Sequence, residues 1–156
     1  MNSTWKLIYK LVHRLVPTIV VCSQQCFFLA FADLLQTQEK SLYPKLLSLL
    51  RPYSPPLSAN ILGWHAEGPY LQLAKRGAHA PPFLLTAPNG YKSFEQLYGA
   101  ENLADAEDWL MNQGTSISEG EEIGVRIITA APEVEGVMDS ISELTKRGII
   151  FSIGHR

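Results

Sequence analysis

A chain of 156 residues, 46% hydrophobic and 18% charged, is long enough for one domain with a real core and has the ordinary balance of a globular protein. Its formal net charge of -2 gives no electrostatic footprint for nucleic acid or for an anionic membrane surface. Cys22 and Cys26 sit close together in an apolar run, which suggests neither a disulfide framework nor a zinc cluster and makes a reducing cytoplasm the expected compartment.

Residues 4–16 place Trp5, Ile8, Leu11, Val12 and Leu15 at helical spacing, with Lys6, Lys10, His13 and Arg14 between them, and predict an amphipathic helix. Its basic face reads as a solvated surface ahead of a membrane-surface or targeting role. After Pro17 the chain is almost continuously apolar to Leu35, interrupted by Ser23, Gln24, Gln25 and Asp33. A membrane span needs about 20 consecutive apolar residues, so the preferred reading is a strand over Pro17–Cys22 and a buried helix over Cys26–Leu35. An insertion over Val21–Thr37 is the other reading. Residues 1–37 therefore form an N-terminal region of uncertain status, and the principal domain is expected over 38–156.

Leu42, Leu46, Leu49 and Leu50 stripe a helix over 38–51, with Ser41 as its cap and Pro52 as its stop. A Pro- and Ser-rich loop follows. Ile61 to Ala66 is a short buried strand, and Gly68-Pro69 cannot continue a ladder, so Glu67 falls where strand becomes loop. Helices are expected over 92–98 and 101–112, then a polar, Gly-rich loop. Residues 125–154 read as strand, helix and strand, with Val134, Val137, Met138, Ile141 and Leu144 as the helical stripe and Gly148 as its stop. That βαβ unit implies a parallel pair with a right-handed crossover. The last strand runs into Gly154 and delivers His155 at its end.

In parallel α/β architectures the carboxyl ends of strands collect ligands and catalytic groups. Glu67 and His155 both stand at such ends, and carboxylate oxygen and imidazole nitrogen suit a divalent ion such as zinc. Each residue alone is as readily a loop acceptor or a surface histidine. His65 alternates with Glu67 and is read as packing. Glu133 is explained by the helix that follows it. Gly77 in KRGAH allows a close backbone approach, while Lys75 and Arg76 are either a phosphate attraction or a solvated pair. No Walker-type phosphate loop and no Gly-x-Ser-x-Gly elbow is present, which excludes the commonest nucleotide-binding and serine-hydrolase signatures.

HAEGPYLQLAKRGAH at 65–79, ITAAPEVEG at 128–136 and FSIGH at 151–155 occur in the order of the corresponding blocks of the N-acetylglucosamine-6-phosphate deacetylases, and the chain resembles that family over about residues 57–156. The resemblance implies a metal-dependent amidohydrolase on a (β/α)8 TIM barrel that yields glucosamine 6-phosphate and acetate. It implies one divalent ion, zinc by preference, with Glu67 and His155 as two of its ligands. It also places Ala78 and His79 beside N-acetylglucosamine 6-phosphate. The early His-x-His pair of some members is absent here. The family's further histidine ligand, substrate-polarising histidine and catalytic aspartate would lie downstream of this chain. A closed barrel takes roughly 250 residues, so the expected fold is α/β, a partial barrel, truncated and not closed. An open edge is prone to association, which makes a homo-oligomer one outcome. A non-catalytic fragment or interaction module of the same family is the alternative reading.

Overall fold

The computed structural model describes residues 29–34, 37–47, 60–103 and 124–156. Among them four strands form one sheet in chain order: β1 (Leu29–Leu34), β2 (Asn60–Glu67), β3 (Val125–Ala130) and β4 (Ile150–Ile153). Every neighbouring pair is parallel, with His65 opposite Ile127, Glu67 opposite Thr129, and Thr129 opposite Ser152. A parallel neighbour requires a crossover, and α3 (Val137–Lys146) is the crossover between β3 and β4. Among the described residues, four successive parallel strands with two edges form an unclosed (β/α) barrel segment, as the family resemblance implied.

Strand periodicity sorts the side chains into two layers. Trp64, Ala66, Ile128 and Ala130 are buried against α1 (Tyr43–Leu47), α2 (Tyr91–Tyr98) and α3, where they pack with Leu47, Phe94, Leu97, Val137 and Leu144. On the alternate positions His65, Glu67 and Ile127 are only half-buried. There His65 Nε2 meets Thr129 Oγ1 at 2.9 Å, so His65 is held inside the sheet's own side-chain layer.

Several expectations are corrected. The helix expected over Cys26–Leu35 is, from Leu29 to Leu34, strand β1. A short apolar run carries no period that separates buried helix from buried strand, and the ladder to β2 decides it. This strand lies ahead of residue 38, where the main domain was expected to start. The helix expected over 38–51 is described as a 3-10 turn, Lys40–Leu42, leading into α1. Pro44 suits the first turn of a helix that begins at Tyr43, and this phase buries Tyr43 and Leu47 and leaves Leu42 exposed. Ser41 hydrogen-bonds Glu39 Oε1 at 3.1 Å and does not cap. Residues 101–103 form a 3-10 turn. The expected helix over 4–16, the strand over Pro17–Cys22 and the polar loop after residue 112 lie outside the described residues, as does most of the helix expected over 101–112.

The stripe of α3 also shifts. Val134 belongs to the turn before the helix, and Met138 is 62% exposed. Gly136 enters the helix at φ +73, and a Cβ there would collide with the Ala87 carbonyl oxygen. The start of α3 is thereby pressed against residue 87, whose N–H donates to the Glu135 carbonyl. The chain leaves α3 through Gly148, whose N–H donates to the Thr145 carbonyl.

Phe94 is fully buried whereas Met138 faces solvent. Phe94→Ala is expected to lower the unfolding free energy by about 3–5 kcal/mol, and Met138→Ala to stay within about 0.5 kcal/mol. Denaturant unfolding of the two variants beside the unmutated chain measures both.

Candidate metal centre

Glu67 ends β2, and the next residue already leaves strand geometry, with Gly68 at φ +74. No side chain fits there: a Cβ on Gly68 would stand 2.7 Å from Thr37 Cγ2. The loop then arches over the carboxyl end of the sheet. Gly68 N–H donates to the Thr129 carbonyl, Ala131 N–H to the Tyr70 carbonyl, and Gly154 N–H to the Ala130 carbonyl. These bonds gather the ends of β2, β3 and β4 at one rim.

His155 lies two residues past β4 at φ 55, a left-handed conformation unusual outside glycine. It is held from both sides by the loop after β2: Gln72 N–H donates to its carbonyl at 3.1 Å, and its Nδ1 is 2.9 Å from the Lys75 carbonyl. The opposite ring nitrogen, Nε2, is 2.6 Å from Glu67 Oε1. His79, only 4% exposed, approaches the same carboxylate oxygen with Nε2 at 3.4 Å. Its ring stands edge to face with that of His155 at 5.1 Å. One donor atom from each of Glu67, His79 and His155 lies within 4.8 Å of the others, the one such cluster among the described residues.

Hydrogen bonding on the far side of each ring separates the two histidines. A carbonyl oxygen only accepts, so His155 Nδ1 carries a proton, and Nε2, which shares a second proton with Glu67 in the metal-free chain, is the nitrogen whose lone pair a cation would take once that proton leaves. That is the tautomer a metal-binding histidine needs. His79 Nδ1 instead accepts from the Thr37 N–H at 3.2 Å. Its other nitrogen then carries the proton and faces Glu67 as a donor. The set therefore fits a divalent ion through Glu67 and His155, with His79 beside it as an N–H donor. Two ligands at tetrahedral zinc stand about 3.3 Å apart, from bonds of about 2.0–2.1 Å. At 2.6 Å the Glu67–His155 contact is a charge-assisted hydrogen bond, with a proton in the space a cation would take.

The Lys75 carbonyl, above all, holds the His155 imidazolium above the usual histidine range; burial opposes it, and the hydrogen bond and charge of Glu67 add to the rise. Tyr43 is pushed up to about 12 by burial, and burial also raises Tyr70 and Tyr98. These three phenols are thus neutral donors or acceptors behind the site.

Of the residues singled out in the sequence, Glu67 and His155 are brought together. His79 joins them more closely than the sequence suggested, and Ala78 stands exposed on the rim next to it. Lys75 contributes its carbonyl, and Arg76 donates to the Leu73 carbonyl at 3.3 Å. Thr37 was not foreseen. Its part is played by the backbone, and a backbone N–H carries no sequence signal.

No protein-family model matches the chain. The N-acetylglucosamine-6-phosphate deacetylase of Danio rerio is 34% identical over 127 residues, which is 81% of this chain and 26% of that protein. The Homo sapiens protein of the same name is 35% identical over 128 residues, again 81% of this chain and 26% of its own length. At family level the chain matches the N-acetylglucosamine-6-phosphate deacetylases. It does so as a partial chain, spanning about a quarter of the length of the curated relatives it matches. The matched stretch is longer than 57–156 and so takes in residues ahead of 57. A crystal structure of N-acetylglucosamine-6-phosphate deacetylase from Thermotoga maritima superposes with a TM-score of 0.51 at 23% identity, covering 80% of this chain and 27% of that one, which supports the fold. No helix among the described residues is long and apolar enough to cross a membrane.

Because the folded His155 pKa is raised, the metal-free His155–Glu67 pair contributes its full stabilisation below the unfolded histidine value of about 6.5. That contribution is lost as pH rises through the higher folded value. Thermal unfolding of the metal-free chain is expected to shift to lower temperature as pH rises above about 6.5, and His155→Asn to flatten that dependence.

Proposed function

We propose that this chain carries part of the metal site of an amidohydrolase that removes acetate from N-acetylglucosamine 6-phosphate to leave glucosamine 6-phosphate. The observation that carries the reading is the meeting of Glu67 Oε1 and His155 Nε2 at the strand ends, with His155 Nδ1–H tied back to a carbonyl. The family match supplies the substrate, and the proposed ion is a single zinc.

Each side chain has a separate task. Glu67 offers an anionic oxygen, and His155 offers a neutral nitrogen whose direction is set by Lys75 and Gln72. A divalent ion held there supplies an activated water and polarises the acetamide carbonyl. His79 presents an N–H at the same opening, suited to a sugar oxygen or to the acetamide. Ala78 offers its backbone on the exposed rim beside it. Hydrolysis breaks the amide C–N bond, joins the water oxygen to the acyl carbon and moves a proton to the departing amine. That last task needs a general acid–base group. No described residue is placed to act as one, and the resemblance assigns the role to an aspartate downstream. A reducing, cytoplasmic setting and association through the open sheet edge belong to the same proposal.

A catalytic zinc normally has three protein ligands, so the chain is expected to bind Zn²⁺ far more weakly than the about 10–16 kcal/mol of structural four-ligand sites. Glu67→Gln and His155→Asn should each weaken Zn²⁺ binding, measured with a competing chelator dye, by more than about 100-fold, beyond the range of outer-shell changes. His79→Asn should cost less than about tenfold, because His79 directs a proton and not a lone pair at the site. Zinc affinity indifferent to Glu67→Gln would overturn the reading, as would acetate release by this chain at the roughly 10 s⁻¹ of a typical enzyme.

A further inference from the structure

Glu67 stands at the point where β2 stops, so something other than the ladder must hold its carboxylate in aim. The residue that follows it, Gly68, is gripped from two sides. On the sheet side Gly68 N–H donates to the Thr129 carbonyl at 2.9 Å. On the helix side the Gly68 carbonyl accepts from the hydroxyl of Tyr98, the last residue of α2, at 2.7 Å. Tyr98 is 0% exposed, in the core between the sheet and the helices. From there it reaches a backbone atom of the metal-site loop.

We infer that Tyr98 is a positioning residue for Glu67, its hydroxyl clamping the Gly68 peptide so that Oε1 points at His155 Nε2. The inference rests on the metal-site reading above. A buried carbonyl needs a partner, and among the described residues this hydroxyl is the donor the Gly68 carbonyl receives. Without it the turn is free to seek another partner and carries Glu67 with it.

A second tyrosine extends the support. Tyr43 packs edge-on against Tyr98 at 5.6 Å and 81°, and its hydroxyl oxygen accepts from the Gln38 N–H at 3.4 Å. Gln38 follows Thr37, whose N–H holds His79. Tyr98 and Tyr43 thus reach from the helical layer to the backbone behind Glu67 and behind His79 respectively. Through Tyr98 the helical layer also bears on the ion site.

Zn²⁺ affinity and thermal midpoint are to be measured on the full chain for Tyr98→Phe, Ser140→Ala and Glu67→Gln. Ser140 is the control, because its buried hydroxyl also donates to a backbone carbonyl at 2.7 Å, that of Gly136 at the start of α3. Both hydroxyl deletions should lower the midpoint. Tyr98→Phe should also weaken Zn²⁺ binding about 10–100-fold, as outer-shell changes do, and Ser140→Ala should leave it within about twofold. Equal Zn²⁺ affinities for those two variants overturn the inference. If Glu67→Gln weakens binding while Tyr98→Phe does not, only the positioning role falls. If Glu67→Gln has no effect, the metal-site reading falls and this inference with it. Should Tyr98→Phe fail to fold, the unmutated chain provides the test by NMR during a Zn²⁺ titration. The Tyr98 ring carbon bearing the hydroxyl should shift, and that of Tyr70, whose hydroxyl donates to the Ser93 carbonyl, should not. A Tyr98 signal that stays in place as Zn²⁺ binds overturns the inference.

Discussion

The contact between Glu67 Oε1 and His155 Nε2 is the constraint on which the functional reading turns. It joins residues 88 positions apart, from two strands that are not neighbours, and it exists because β2, β3 and β4 run parallel and end at one rim. An antiparallel neighbour would have sent one of the two groups to the opposite end of the sheet. Parallel pairing in turn depends on crossovers, and α3 provides the one between β3 and β4 by burying Val137 and Leu144 against the sheet. The chemistry at the rim is thus tied to apolar packing behind the sheet.

The loop between β2 and α2 ties the rim together. Its backbone anchors His155 at two points, through Gln72 N–H and the Lys75 carbonyl, and its far end returns His79 to the carboxylate. The proton positions on the two histidines follow from backbone partners alone, and they give nearly identical side chains different capacities. His155 can give up its Nε2 proton to offer a cation a lone pair, whereas His79 offers a hydrogen. A cluster counted by residue type would treat them as equivalent.

Much of this was legible in the sequence for definite physical reasons. The parallel βαβ unit at the C-terminal end of the chain could be read because its helix carries an apolar period and a glycine stop, and its strands are short, mainly apolar runs. Glu67 and His155 stood out because Gly-Pro and Gly mark where each strand must end. Other elements were misread where the local signal is degenerate. The apolar run at Leu29–Leu34 has no period that tells strand from helix, and a ladder partner decides it. Met138 sits one step outside the buried face of α3 because that helix starts after Gly136, later than its apolar spacing suggests. Tyr43 and Leu47 face the core and Leu42 is exposed, since Pro44 sets where α1 begins.

The sequence by itself determined that Glu67 and His155 stand at strand ends, because hydrophobic runs and their Gly and Pro boundaries are local properties of a chain. It also carried the family's motif order, which spacing alone preserves. Only the tertiary structure decided that His79 shares a carboxylate with His155, that Thr37 and Lys75 orient the two rings oppositely, and that Tyr98 reaches the carbonyl of Gly68. Those relations are made by backbone amides and carbonyls common to every residue, so no choice of side chain announces them until the chain has folded.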